Sequence, residues 1–243
     1  MKRSAQAGVT LMELLIAVTL MSLLSVGIVI SLRVALSAMN KTDTKLMGNR
    51  RVASVERILE QQIAGIMPVT AECQTSGEAP PARVTFFQGE AATMRMASSF
   101  SLQEGSRGMP VMLEYQVIPG EQDQGVRLVV NEHLYTGPRA AGLFCLGVAP
   151  DPTINAIATR FVPVQIGAGS FVLADKLAYC RFSYREYIPP AQPKWLLRWT
   201  RPALPTAIRV EMAPLVPDAS RLQPVTLTIP VRVTRLPMEP YEN

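Results

Sequence analysis

"SAQAGVTLMELLIAVTLMSLL", residues 4–24, contains the feature on which the fold turns: a carboxylate, Glu13, at the start of a membrane-length apolar run. From Val9 to Leu32 the chain is apolar except for a few hydroxyl side chains, Gly27 and Glu13. A helix of that length rises about 36 Å, enough to cross a hydrocarbon core. The run exceeds the apolar region of an ordinary cleavable signal, and the preceding residues carry Lys2 and Arg3. Those cations favour a leader kept in the cytoplasm, but Arg33, Lys41, Lys45, Arg50 and Arg51 follow the run, so charge counting leaves orientation open. An ionisable group inside such a run is costly and asks for a function. A plain single-pass anchor gains nothing from it.

The helical pattern continues past Leu32. No proline occurs before Pro68, and Val52, Val55, Leu59, Ile63 and Ile66 recur at spacings of three and four, with Ile58 beside them. That is an amphipathic stripe, with Arg51, Glu56, Arg57, Glu60, Gln61 and Gln62 between its members. The spacing predicts one helix over residues 9–67, about 90 Å long if continuous, apolar all round in its first half and on one face in its second. Gly27 and Gly48 are its soft points, and Met67-Pro68 its stop.

Beyond Pro68 the texture changes. Most of the twenty prolines lie there, which breaks helices and favours short strands and loops. "RVTFF" (83–87), "MLEYQVI" (112–118) and "VRLVVNEHLY" (126–135) read as strands, with "PGEQDQGV" (119–126) as a hairpin connection. In "YCRFSYREY", Cys180, Phe182 and Tyr184 share one face, and Tyr179, Arg181, Ser183 and Arg185 the other. Ile208, Val210 and Met212 alternate with Arg209 and Glu211. Val225, Leu227, Ile229 and Val231 alternate with Thr226, Thr228 and Arg232, and Pro230 marks an edge or a bulge. "ASSFSLQEGSRGMP" (97–110) and "APDPTINAIATRFVPVQIGAGS" (149–170) read as loops bracketed by Gly and Pro. The expected architecture is α+β: a long N-terminal helix, its first half transmembrane, packed on a mostly antiparallel sheet.

The bulk numbers exclude little else. The net charge of +5 is mild, and no Lys/Arg cluster is dense enough for a nucleic-acid surface. The three cysteines, Cys73, Cys145 and Cys180, lack zinc spacing. Cys180 falls on the apolar face of a strand and is expected buried and free. Cys73 and Cys145 lie in loop-like sequence and are expected to form a disulfide in an oxidising compartment, with three unpaired thiols as the alternative. His133 is the single histidine, in a strand beside Glu132, and reads as a packing or surface residue. There is no nucleophile elbow and no phosphate loop. No catalytic residue, metal site or cofactor is expected.

"AGVTLMELLIAV" (7–18) resembles the class III signal of type IV pilins and the related pseudopilins: a short basic leader, a Gly, then an apolar run with Glu at its fifth position. The resemblance implies cleavage by a prepilin peptidase between Gly8 and Val9. It implies methylation of the Val9 amine, although Phe is the usual first residue of the mature chain. It also implies that Glu13 docks on the N-terminal ammonium of a neighbouring subunit. Such a buried pair serves register more than stability.

"LADKLAYCRFSYREY" (173–187), "KWLLRWTRPALPTAIRVEMAPL" (194–215) and "LQPVTLTIPVRV" (222–233) resemble the C-terminal part of J-type minor pseudopilins of type II secretion, and W-type minor pilins share much of the pattern. The implied organisation is a leader at 1–8, a long helix at 9–67 with 9–32 in the inner membrane, and a β-rich periplasmic domain at 68–243. The implied role is that of a minor pseudopilin helping to initiate or cap a filament. Its implied partners are the prepilin peptidase and I-type and K-type minor pseudopilins, or other minor pilins, with no nucleic acid. A minor pilin of a type IV pilus is the first alternative. A membrane-anchored periplasmic enzyme or binding protein is the alternative of another class.

Overall fold

The computed structural model describes residues 11–75, 80–151, 156–216 and 224–233, with side chains described outside 35–53 and 151–157. The chain divides into two units, Met1–Gly48 and Asn49–Asn243. The first contributes the N-terminal part of helix α1, which spans Leu11–Ala64 among the described residues.

In the second unit α1 stops earlier than its periodicity predicts. Gly65 N–H still bonds Gln61 O at 3.0 Å, but Ile66–Met67 is a short strand, β1, paired with Ser98 and Ala97. Pro68 denies the helix its next turn, and the sheet takes over the backbone of these two residues.

The remaining strands are β2 (Thr70–Cys73), β3 (Ala82–Thr85), β4 (Phe87–Gly89), β5 (Thr93–Ser101), β6 (Ser106–Pro119), β7 (Val126–Leu134), β8 (Cys145–Asp151), β9 (Ala156–Phe161), β10 (Phe171–Glu186), β11 (Lys194–Leu196), β12 (Ala207–Pro214) and β13 (Val225–Pro230). A short helix, α2, spans Pro138–Gly142. The main sheet runs β1-β5-β6-β7-β10-β12-β13, with β4 on β5 and β11 on β10. Every pair in it is antiparallel. The expected α+β layout is what the chain forms.

Two long strands organise the sheet. β10 pairs with β7 through Phe171–Leu177, then with β12 through Leu177–Arg185, and bulges mark the transition. Its far edge is filled by β11 and by the β4–β5 turn, where Phe182 N–H donates to Ala91 O at 2.9 Å. Trp199 N–H then donates to Gly89 O at 2.7 Å, so main-chain bonds run in a ring through β4, β5, β6, β7 and β10. Gly89 permits this closure. A Cβ there would stand 2.8 Å from both Trp199 Cβ and Tyr184 Cζ.

Each face of the sheet has its own core. On one side Val55, Leu59, Ile63 and Ile66 pack on Met94, Met96, Leu113, Tyr115, Phe182, Tyr184, Ile208 and Val210. Leu59 and Ile63 are fully buried, and each contributes about 1.5–3 kcal/mol of transfer free energy. The alternating residues read from the sequence, Cys180, Phe182, Tyr184, Ile208, Val210 and Met212, all point into this core. Val52 lies among the residues whose side chains are not described.

On the other face Phe86, Ala97 and Met112 pack under a second layer built from the β2–β3 and β8–β9 hairpins and α2. Cys73 and Cys145 are joined by a disulfide across that layer, with Cα atoms 5.5 Å apart. Both cysteines are strand ends rather than loop residues. Cys180 is buried and unpaired.

Two segments read as loops contain strands. Residues 97–110 complete β5 and open β6, leaving only 102–105 as a turn, and residues 149–170 contain the end of β8 and all of β9, with 162–170 outside the strands. "RVTFF" divides in the opposite sense, with β3 ending at Thr85 and β4 starting at Phe87. The 119–126 connection is a tight hairpin, as its sequence indicates. Gly125 sits there at φ +66, and a Cβ on it would stand 2.3 Å from Leu177 O.

Candidate functional site

The first candidate is the N-terminal part of α1. Leu11–Val34 is long and apolar enough to cross a membrane, and its residues are exposed among the described residues. Its large apolar side chains point outward on every side, from Leu11 to Val34. The hydroxyls among them turn inward to their own helix: Thr19 donates to Ile16 O at 2.9 Å, Ser22 to Thr19 O at 2.9 Å and Ser25 to Met21 O at 2.8 Å. Backbone and hydroxyl groups are thus satisfied locally, which a hydrocarbon or protein interior requires.

Glu13 is the acidic residue of the first described turn, two residues into an otherwise apolar surface. The cleavage and methylation residues read from the sequence, Gly8 and Val9, lie outside the described residues.

The second candidate is a polar network on the face of the sheet opposite the helix. Arg95 stands between Met94 and Met96 on β5 and is 1% exposed. Its Nε donates to Glu114 Oε1 at 2.6 Å, its other nitrogens donate to Gln88 Oε1 and Val162 O, and its guanidinium lies over the Phe161 ring. Glu114 also takes Asn131 Nδ2 at 3.4 Å and has His133 Nε2 at 3.2 Å. Asn131 in turn donates to Gln165 O at 2.8 Å and accepts from Ser170 Oγ at 2.6 Å. Arg95 and Asn131 therefore pin the segment 162–170 across the sheet.

His133 packs its ring on Phe144, with the Glu114 carboxylate at its Nε2. The arrangement fastens a strap. Sequence reading missed Arg95 and Glu114, although a lone charge in each of two apolar stretches, "TMRMA" and "MLEYQ", was the available signal.

Two further groups lie in the helix–sheet core. Tyr115 donates to Gln62 Oε1 at 2.5 Å, and Ser98 Oγ donates to Gln62 O at 2.8 Å. Burial first, then the charge of Glu132, pushes the Tyr115 phenol up. Burial also pushes the Cys180 thiol up to about 12, so it stays a packed, protonated side chain. Among the described residues no group of three or more His, Cys, Asp or Glu could hold a metal ion.

Residues 3–29 match the family model described as the prokaryotic N-terminal methylation motif. A search of curated proteins finds no match. The match covers the Gly8–Val9 junction, Glu13 and most of the apolar helix, and supports the type IV pilin-like class, with prepilin peptidase processing, methylation and membrane anchoring.

Proposed function

We propose that this chain is a minor pseudopilin, a structural subunit of a type II secretion pseudopilus that helps to initiate or cap the filament. The observation that carries the reading is the methylation motif set on an exposed apolar helix of membrane-crossing length, in a chain that also carries a mostly antiparallel sheet domain. An exposed helix of this kind fits lipid before assembly and other subunits after it.

In this reading residues 1–8 are a leader, and the peptidase cuts between Gly8 and Val9 and methylates the Val9 amine. Residues 9–32 then anchor the chain in the inner membrane, with residues 68–243 in the periplasm. Glu13 meets the N-terminal ammonium of a neighbour. Desolvated together, the two charges attract strongly, and either alone is costly, so the pair sets register. The partners are I-type and K-type minor pseudopilins. The resemblance at residues 173–233 supports the J type, and the same segment accommodates a minor pilin of a type IV pilus.

The test is co-expression of the full chain with a prepilin peptidase, followed by intact mass and N-terminal analysis. The expected product starts at methylated Val9. Gly8→Ala blocks the cut, and Glu13→Ala is cut normally but fails to assemble. An uncut chain, or one cut elsewhere, returns the helix to a simple anchor.

A further inference from the structure

The sheet face opposite the α1 core is covered by the second layer over β5 and β6, but along β10, β12 and β13 it is partly exposed, with Ser183 buried and Arg185 and Arg209 half-buried within it. Tyr179, Arg181, Thr226 and Thr228 are exposed there. The outward row of β10 reads Tyr179, Arg181, Ser183, Arg185, Tyr187, since Cys180, Phe182 and Tyr184 point into the core. Arg209 stands beside Ser183, and Glu211 beside Arg181, on β12. Trp195 of β11 stands beside Arg185, and the Arg209 guanidinium lies over its ring at 3.8 Å.

Two features make this face a reader of carboxylates. Arg181 already grips one: its Nε and Nη2 meet the two oxygens of Glu211 at 2.8 and 3.3 Å. That fork, by its hydrogen bond first, holds Glu211 below the usual carboxylate range. Arg185 and Arg209 repeat the arginine without a salt bridge, although the charge of Arg209 also reaches Glu211. Arg185 Nε donates to the Thr206 hydroxyl at 3.0 Å, Arg209 Nε is buried without a hydrogen-bond partner, and among the described residues no carboxylate lies within ion-pair distance of either.

The surrounding charge agrees. Residues 176–216 hold seven Lys/Arg and two Asp/Glu, whereas residues 56–175 hold seven and twelve. The composition is arginine, tyrosine and tryptophan, which dominates protein–protein contact centres, where lysine is depleted. Sequence-independent phosphate binding has no such preference for arginine over lysine.

We propose that this face of β10, β12 and β13 docks an acidic surface of another protein, whose carboxylates meet the terminal guanidinium nitrogens of Arg185 and Arg209, since Arg185 Nε is turned to Thr206 and Arg209 Nε is buried. Planar bidentate pairs of this kind give orientation as well as attraction. The proposal stands apart from filament membership and holds for any protein neighbour.

The test uses the full chain in neutral nanodiscs and a fluorescein-labelled oligoglutamate peptide, with a thymidine oligonucleotide of equal charge as competitor. Arg185→Gln with Arg209→Gln is expected to weaken peptide binding roughly tenfold or more, while Arg107→Gln with Arg160→Gln, exposed cations elsewhere on the domain, changes it little. Because the first pair alters the Trp195 stack, Glu211→Gln supplies a gain that misfolding cannot imitate: it frees Arg181 and tightens binding several-fold, and Glu104→Gln does not. Equal losses in the two arginine pairs reduce the effect to net charge and overturn the proposal. So does failure of Glu211→Gln to tighten binding, or tighter binding of the oligonucleotide through the same arginines.

Discussion

Arg95 and Glu114 form a buried ion pair 2.6 Å long with further donors on each side, and the cost of breaking it follows from what is left behind. Arg95→Ala strands Glu114 in a dry site and is expected to lower stability by about 3–5 kcal/mol, read by thermal or urea unfolding of the full chain in detergent. Arg95→Met with Glu114→Leu together recovers most of that loss, since an apolar pair of similar volume has no charge to desolvate. Tyr115→Phe leaves Gln62 Oε1 buried without its donor and is expected to cost about 1–3 kcal/mol in the same assay. Cys180 gives a pH-dependent case. Its folded value, about 12, lies above its ordinary 9.0, so the folded state holds the proton more tightly. Its contribution is intact below pH 9 and is lost as pH rises toward 12. Iodoacetamide at pH 8 is expected to spare it in the folded chain and to modify it in denaturant. Its burial was legible, because period-two alternation fixes which face it shares. The Arg95 network was not legible, because nothing local says that β5, β6 and β7 bring Arg95, Glu114, Asn131 and His133 into one row.

Among the elements, the second half of α1 was readable almost residue by residue. A stripe at spacings of three and four has one solution, and Val55, Leu59, Ile63 and Ile66 are the residues that pack. Leu59→Ala is expected to cost about 2–5 kcal/mol, because a fully buried leucine leaves a cavity as well as losing its transfer energy. Residues 97–110 were misread as a loop for a physical reason. Serines and glycines signal turns, but here Ser98 is buried against Gln62 O, and Ser101 Oγ and Leu102 N–H both donate to the Glu132 carboxylate. A side chain thirty residues away supplies the acceptor that lets a polar hairpin join the sheet. The Cys73–Cys145 bridge spans 72 residues and fastens the β2–β3 hairpin to the β8–β9 hairpin. Replacing both cysteines with serine is expected to cost about 2–5 kcal/mol, seen as a lowered melting temperature matched by the reduced parent chain.

At the scale of the whole molecule, the membrane-length run was the plainest signal in the sequence, because hydropathy needs no tertiary context. Full chain in native membranes is expected to resist alkaline carbonate and to be released by detergent. Leu20→Arg with Leu23→Arg, each costing about 2.5–3.5 kcal/mol at mid-helix, is expected to shift it to the soluble fraction. Strand order was not legible, since pairing partners lie far apart along the chain: Gly89 meets Trp199, and β5 belongs to the same sheet as β13. That last property has a consequence in time. Synthesis proceeds from the N-terminus, and the core under α1 takes Ile208, Val210, Met212, Ile229 and Val231 from the final stretch of the described chain. While those residues are still inside the ribosome, β5, β6 and β7 exist without the strands that complete their sheet, and the ring through Gly89 is open. The domain therefore cannot finish folding as it emerges. It waits for β12 and β13 to emerge, and a nascent chain stalled before Ala207 is expected to stay sensitive to protease where the released chain resists.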